Sequence, residues 1–293
     1  MARILGVGIA TLDIINHVPS YPAEDAEVRA LSQQLCRGGN ATNTLVVLSQ
    51  FGHDCRWAGT LADDANSAII RTDLAANRID MAATQLVAGG HAPTSYISLS
   101  QQNGSRTIVH YRDLPEYTFA HFQGLELAEL DWLHFEGRNV EQTLRMLEHA
   151  RKYWPQLPIS VEIEKPRDGI ERLCRLADLL LYSGHYARHH GYRTAEPFLA
   201  DMQRQAPQAI HVCTWGTAGA YAVDGMGSFL HSPAFPPAQV IDTIGAGDTF
   251  NAGFIHARLA GLEPSASLER ACRVAGRKCG QRGFQGLADE ETR

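Results

Sequence analysis

The chain has 293 residues, 44% of them hydrophobic and 20% charged, values near globular averages that exclude a disordered chain, a collagen-like repeat and a coiled coil. Lys and Arg number 26 against 32 Asp and Glu, a formal net charge of −6. With no long single-sign block, nucleic acid is not expected as a partner, because phosphate binding usually leaves a basic face.

In chain order, the apolar run Ile4–Val7 reads as a first buried strand, too short and too soon followed by Asp13 to be a secretory signal. Glu27–Leu31 alternates as an exposed strand does. Asn40–Phe51 carries Ala41, Leu45, Leu48 and Phe51 at helical spacing, with Asn40 as N-cap and Gly52 as the stop. Thr94–Leu99 and Arg106–Tyr111 alternate around the turn Gln102-Asn103-Gly104-Ser105. Together with residues 23–37, the segment 92–112 is expected to form a small lid sheet over the edge of the main one.

Trp132–Phe135, Ile159–Ile163, Leu179–Tyr182 and Ile210–Cys213 read as further buried strands, and Asn139–Trp154 as a helix ended by Pro155. The last third ends in two helices, Asp248–Ala260 and Leu268–Gly280, separated by Gly261 and Pro264. Alternating strands and helices without a linker imply an α/β fold with a mostly parallel central sheet, one unit over residues 1–293. No stretch approaches the roughly 18 apolar residues of a membrane helix. The six cysteines include no C-x-x-C pair, which speaks against a zinc cluster or redox dithiol, and the expectation is a reduced, cytoplasmic protein with no membrane partner.

The strongest local feature is Asp242-Thr243-Ile244-Gly245-Ala246-Gly247-Asp248-Thr249-Phe250. Glycines let the backbone curl just ahead of a helix, whose first N–H groups lack partners and, with the helix dipole, favour an anion. Asp248 at that N-terminus is placed to take a proton from a hydroxyl that attacks phosphorus; the bland alternative is a capping Asp after a glycine turn. Phosphoryl transfer is the chemistry that suits the arrangement.

This D-T-x-G-A-G-D-x-F run resembles the C-terminal signature of the ribokinase-like (PfkB) carbohydrate kinases, and Arg37-Gly38-Gly39-Asn40-Ala41-Thr42-Asn43 resembles their N-terminal glycine motif. Within the family the resemblance is strongest to the ketohexokinase branch. It extends through Tyr21-Pro22-Ala23-Glu24-Asp25, His134-Phe135-Glu136-Gly137-Arg138-Asn139, Val161-Glu162-Ile163-Glu164-Lys165, Phe235-Pro236-Pro237 and Val274-Ala275-Gly276-Arg277-Lys278-Cys279-Gly280. It implies a three-layer αβα sandwich with a β-lid, ATP and Mg2+ as co-substrate and cofactor, K+ as a candidate activator, and a homodimer joined through the lids. It further implies that Asp248 is the base for a primary hydroxyl of a ketohexose such as fructose, giving fructose 1-phosphate, and that Gly245, Ala246 and Gly247 form an anion hole. Asp13, Gly39, Asn40, Asn43 and Glu136 would hold the sugar, with Asp25 reaching over from the partner's lid. Arg106 would meet phosphate, and Trp215, Gly216, Thr217 and Gly219 belong to a nucleotide loop.

Each of these residues has a plain structural alternative: Asp13 as a turn cap, Asn40 and Asn43 as helix caps, Arg106 as a solvated hairpin residue. One departure stands out. Many ribokinase-like enzymes have an Asn-x-x-Glu motif where this chain reads Ser183-Gly184-His185-Tyr186, which leaves the metal ligands unassigned. Rival classes are weaker. Gly6-Val7-Gly8 after a strand suggests a nicotinamide enzyme, but the third glycine of that fingerprint would fall on Thr11. A non-catalytic sugar or nucleotide sensor has no use for Asp248. Among kinases, another ketose, a sugar acid or a nucleoside remain as acceptors.

Overall fold

In a computed structural model, which describes residues 1–288, the strands fall into one large and two small sheets. In chain order the elements are β1 (Arg3–Val7), β2 (Thr11–Val18), β3 (Ser32–Gly38), α1 (Asn40–Gln50), β4 (Asp54–Ala58), β5 (Thr60–Ala62), α2 (Ala65–Ala76), β6 (Gln85–Val87), β7 (Thr94–Ser100) and β8 (Arg106–Tyr111). There follow α3 (Phe119–Phe122), β9 (Trp132–Glu136), α4 (Val140–Tyr153), β10 (Ile159–Ile163), β11 (Leu179–Ser183), α5 (Gly184–His189), α6 (Ala195–Gln205), β12 (Ile210–Thr214), β13 (Ala220–Val223), β14 (Phe229–Ser232), α7 (Ala246–Leu259) and α8 (Pro264–Cys279).

The main sheet runs β14-β13-β12-β11-β10-β9-β1-β4, parallel from β12 to β4 with β13 and β14 added antiparallel at one edge. Its central strands are near-continuous apolar runs because both faces are covered. Along β11, Leu180 and Tyr182 point into a core on one side while Leu179 and Leu181 point into a core on the other. The first core takes Leu144 and Leu147 of α4 and Phe198 of α6; the second takes Leu45 and Leu48 of α1, Phe254 of α7 and Ala271 of α8. Helices therefore lie on both faces, as expected of an α/β layered fold.

The second sheet, β3-β2-β7-β8, differs from the expected lid in its composition. The strand predicted within 23–37 begins only at Ser32, and the preceding loop holds Asp25 at a φ of +61°. One of its two central strands is β2, which pairs antiparallel with β3 and parallel with β7. Its sequence, Thr-Leu-Asp-Ile-Ile-Asn-His-Val, interrupts a β-branched run with Asp, Asn and His, and so hides its period. The row Asp13–Ser95–His110 lies on one face of this sheet, and Leu35–Ile14–Tyr96–Val109 on the other.

One helix start also corrects the sequence reading. Asn40 is not the N-cap of α1 but its first residue; the cap is Gly39 at a φ of +107°, where a Cβ would sit 2.2 Å from the Ile9 carbonyl oxygen. No residue with a side chain fits there, and Asn40 is left free to reach into the site.

Candidate functional site

A cleft of about 1320 Å3, counting its open mouth, lies beyond the C-terminal ends of β10, β11 and β12, between them and the second sheet. Open parallel sheets place ligand groups at such strand ends. Asp13 from β2, Gly39, Asn40 and Asn43 from the start of α1, Glu162 and Glu164 from β10 and beyond, and Gly245, Gly247 and Asp248 from the start of α7 all line it. Arg106 lines its rim from β8.

Asp248 is the third residue of α7, just past Gly245 at a φ of +77°. A Cβ on Gly245 would lie 2.3 Å from the Phe284 ring, so glycine is required both for the turn and for the approach of that ring. The Asp248 carboxyl is buried and takes a hydrogen bond at 2.7 Å from Asn43 Nδ2. Asn43 is oriented in turn: its Oδ1 accepts from Arg37 Nη1 at 2.6 Å, and Arg37 Nε donates to Asp73 Oδ1 at 2.5 Å. This chain of contacts fixes which face of the Asn43 amide Asp248 meets. Burial, with the Glu164 and Glu136 carboxylates adding to it and the Asn43 hydrogen bond and Arg37 opposing it, pushes the Asp248 carboxyl up to about 7. A carboxyl tuned near neutrality fits a general base.

Asn40 Nδ2 donates to Glu162 Oε1 at 3.2 Å and Glu164 Oε2 at 3.1 Å. The second oxygen of Glu162, Oε2, is buried without a hydrogen-bond partner. Burial, together with the Asp248, Glu136 and Glu164 carboxylates, holds the Glu162 carboxyl well above its ordinary range. Asp13 is likewise raised by burial, against hydrogen bonds from Thr11 and Ser95; Thr11 Oγ1 donates to it at 2.9 Å.

A second cavity, of about 920 Å3 and largely apolar, adjoins the cleft through Thr214, Gly216, Thr243 and Gly247. Phe235, Pro236 and Pro237 form one wall, Ala275, Gly276 and Cys279 of α8 another, and Gly216, Thr217 and Gly219 a third. A Cβ on Gly276 would come within 1.9 Å of the Phe235 carbonyl oxygen, so the helix and the proline segment meet only through glycine. The shape suits a flat aromatic base with its polar end toward the cleft.

Three expected residues stand elsewhere. Glu136 does not line the cleft: its Oε2 accepts from the Ile9 N–H at 2.9 Å and its Oε1 from Arg138 Nη1 at 2.8 Å, beside a separate small cavity. Both of its oxygens have partners inside the protein, which tie the end of β9 to Ile9 and Arg138. Trp215 lines neither cavity; its ring packs against the core with the Arg188 guanidinium 4.9 Å away, while its main-chain N–H donates to the Gly219 carbonyl at 2.7 Å and closes the loop. Asp25 sits exposed on the β2–β3 loop, outside the cleft. The cleft also includes Arg188 and Asn251, not singled out from the sequence, and Glu162, Glu164 and Lys165, which the sequence left open between a buried ionic network and contact with ATP or metal. The alternation Glu162-x-Glu164 at the end of a buried strand was the available signal, since charged groups in such a run need a reason.

Among the described residues no group of three or more His, Cys, Asp or Glu is arranged to hold a metal, and no helix is long and apolar enough to cross a membrane.

Comparison with known proteins agrees with this geometry. The profile of the pfkB family carbohydrate kinases matches residues 1–291. The mouse ketohexokinase is 38% identical over 97% of this chain and 98% of its own length. In structure, the ribokinase of Thermotoga maritima superposes with a TM-score of 0.79 at 19% identity, covering 99% of this chain and 96% of that one. The Arabidopsis thaliana ribokinase complexed with ribose and ATP superposes with a TM-score of 0.79 at 18% identity, covering 96% and 94%.

Proposed function

Since the chain belongs to the PfkB family of carbohydrate kinases and is thus an ATP-dependent sugar kinase, we propose that its acceptor is a ketohexose, fructose foremost, phosphorylated on a primary hydroxyl to fructose 1-phosphate. The observation that carries the reading is the placement of Asp248: a buried carboxyl near neutrality, beside the Gly245-Ala246-Gly247 turn, in a cleft lined with carboxyl and amide side chains. Similarity to the mouse ketohexokinase supports the choice of acceptor.

In this reading the sugar lies among Asp13, Gly39, Asn40 and Asn43, whose polar groups pair with its hydroxyls. A sugar lacking a matching hydroxyl leaves a buried group unpaired, at about 1–3 kcal/mol each. The nucleotide base occupies the apolar cavity and its phosphates lead to the 245–247 turn. Asp248 takes the proton of the sugar hydroxyl as its oxygen attacks the γ-phosphorus of ATP, the new O–P bond forms as the bond from that phosphorus to the ADP leaving oxygen breaks, and the amides of the turn with Arg106 meet the transferring charge. The oxygen donors Glu162 and Glu164 fit Mg2+, which binds through one or two carboxylates together with water and phosphate, and the unpartnered Glu162 Oε2 is where such a demand shows. When bound, the ion would neutralise phosphate charge.

The Leu35–Ile14–Tyr96–Val109 face of the second sheet is the surface for a second copy of this chain, and that sheet is the lid over the sugar. All six cysteines are free, which fits a reducing, cytoplasmic setting.

The deciding experiment is an ADP-release assay across ketoses, aldoses, nucleosides, sugar acids and sugar phosphates, with the phosphate position of the product read by NMR. Turnover of fructose with phosphate at position 1 is the expected result. A clear preference for a nucleoside or a sugar acid would replace the acceptor.

A further inference from the structure

The cleft is lined by the carboxyls of Asp13, Glu162, Glu164 and Asp248 and by the cations Arg106, Lys165 and Arg188. A phosphate chain entering among carboxylates needs positive charge to meet it, because the amides of the 245–247 turn are formally neutral. Lys165 is already committed, its Nζ lying 3.6 Å from Glu164 Oε2. Among the described residues neither Arg106 nor Arg188 has a carboxylate partner. Arg106 has its place in the kinase reading; Arg188 has none so far.

Arg188 stands in the last turn of α5, on the wall of the cleft formed with Ser183, Gly184, Thr214 and Gly216. Thr214 and Gly216 also line the apolar cavity but Arg188 does not, so it borders the junction of the two spaces and not the base. Its guanidinium carbon lies 4.9 Å from the centroid of the Trp215 ring. An indole face holds a guanidinium through its quadrupole and leaves the N–H groups at the edge of the fork free to donate. Gly184 makes the seat: a Cβ there would come 2.8 Å from the Thr214 carbonyl oxygen and 3.2 Å from both the Trp215 ring and Arg188 Nη1. A cation in the last turn of a helix offsets the helix dipole, but that use calls for neither an indole platform nor a glycine cleared beside it.

We propose that Arg188 binds the phosphate chain of the nucleotide, held ready by stacking on Trp215, which acts as a positioning residue. The inference deepens the kinase reading above and rests on it for the ligand. It gives Trp215 a part in the nucleotide site that its own ring does not take directly. It also puts a phosphate-binding group just beyond Ser183-Gly184-His185-Tyr186, where this chain departs from the Asn-x-x-Glu pattern.

The test is titration calorimetry of the full-length protein with adenosine and with ADP, in EDTA without divalent metal, so that the readout depends on neither turnover nor Mg2+. Expected for Arg188→Ala is an ADP Kd raised about tenfold or more, as for loss of a charge-assisted contact, with the adenosine Kd within about twofold. Arg188→Lys keeps the charge and loses the planar fork, and falls between the two at about threefold for ADP. Trp215→Leu weakens ADP about threefold and adenosine less than twofold; added to Arg188→Ala it costs ADP nothing more, because its effect passes through the guanidinium.

An Arg188→Ala variant that keeps the ADP Kd, one that loses adenosine and ADP by the same factor, or a Trp215→Leu loss undiminished in the double variant would each overturn the proposal. Arg188 is exposed, so its variants fold, and circular dichroism checks this. Where Trp215→Leu does not fold, the Arg188 series decides. Failure of the kinase reading looks different: a wild type with no affinity for ADP or ATP removes the nucleotide, whereas ADP binding untouched by Arg188→Ala removes Arg188 alone.

Discussion

If Asp248 is the base, a single side chain sets both the rate and its pH dependence. Replacing it by Asn keeps the shape and the Asn43 contact but removes the base; kcat should fall by about 10²–10⁴-fold with the ATP KM little changed, as read by steady-state kinetics. Near-normal turnover would remove Asp248 from that role. Because the carboxyl is pushed up to about 7, kcat/KM should drop as the pH falls through 7, where the base becomes protonated, and level off above it. The sign for stability is opposite. Between the unfolded value of 3.8 and about 7 the folded chain keeps a proton that the unfolded chain has lost, so this group makes folding less favourable as the pH rises through that window. Asn43→Ala removes the side-chain hydrogen bond that favours the charged form, and the acid limb of kcat/KM should then move to higher pH. An unmoved limb would mean that Asn43 only shapes the cleft.

At the scale of elements, α8 bears on the apolar cavity through Gly276, which meets the proline segment. An alanine in a helix ordinarily gains about 1 kcal/mol over glycine. At Gly276 the 1.9 Å approach to the Phe235 carbonyl reverses that gain, so Gly276→Ala should push the Phe235–Pro237 wall away, raising the KM for ATP well above its effect on the acceptor KM. Equal changes in both would argue that the apolar cavity is not the nucleotide site. What was legible beforehand follows the same lines. The buried strands Ile159–Ile163 and Leu179–Ser183 announce themselves as apolar runs because both their faces are covered, and the glycine turns because only glycine fits them. β2 was illegible as a strand because one of its faces serves the site, so Asp13 breaks the apolar period. Asn40 reads as a cap for the same reason: a polar residue at a helix start has a local explanation, and only the fold shows its amide turned to Glu162 and Glu164. Trp215 and Glu136 show the converse, each lying within a site-forming segment while its own side chain packs or bonds inside the protein.

The whole molecule exposes an apolar row that a lone chain has no reason to keep. Leu35, Tyr96 and Val109 are 48%, 50% and 64% exposed, and with Ile14 between Leu35 and Tyr96 they form one row across the four strands of the second sheet. A contiguous patch of this kind marks an interaction surface, and a two-fold pairing of identical sheets would cover it on both copies. Tyr96→Glu combined with Val109→Glu should leave the fold intact, since both side chains are exposed, and should shift sedimentation from dimer to monomer. The pairing also gives Asp25 a use, for it stands outside the cleft of its own chain on the loop beside this face. If it enters the site of the second copy, Asp25→Ala and Asp248→Asn chains, each nearly inactive alone, should recover activity on mixing and reassociation. Half the dimers would then be mixed, each with one intact site of two, so recovery should approach about a quarter of the wild-type rate. The rescue should vanish when both chains also carry the Tyr96 and Val109 substitutions. Mixtures that stay inactive while the chains exchange would place Asp25 outside the shared site and leave the sugar held by one chain alone.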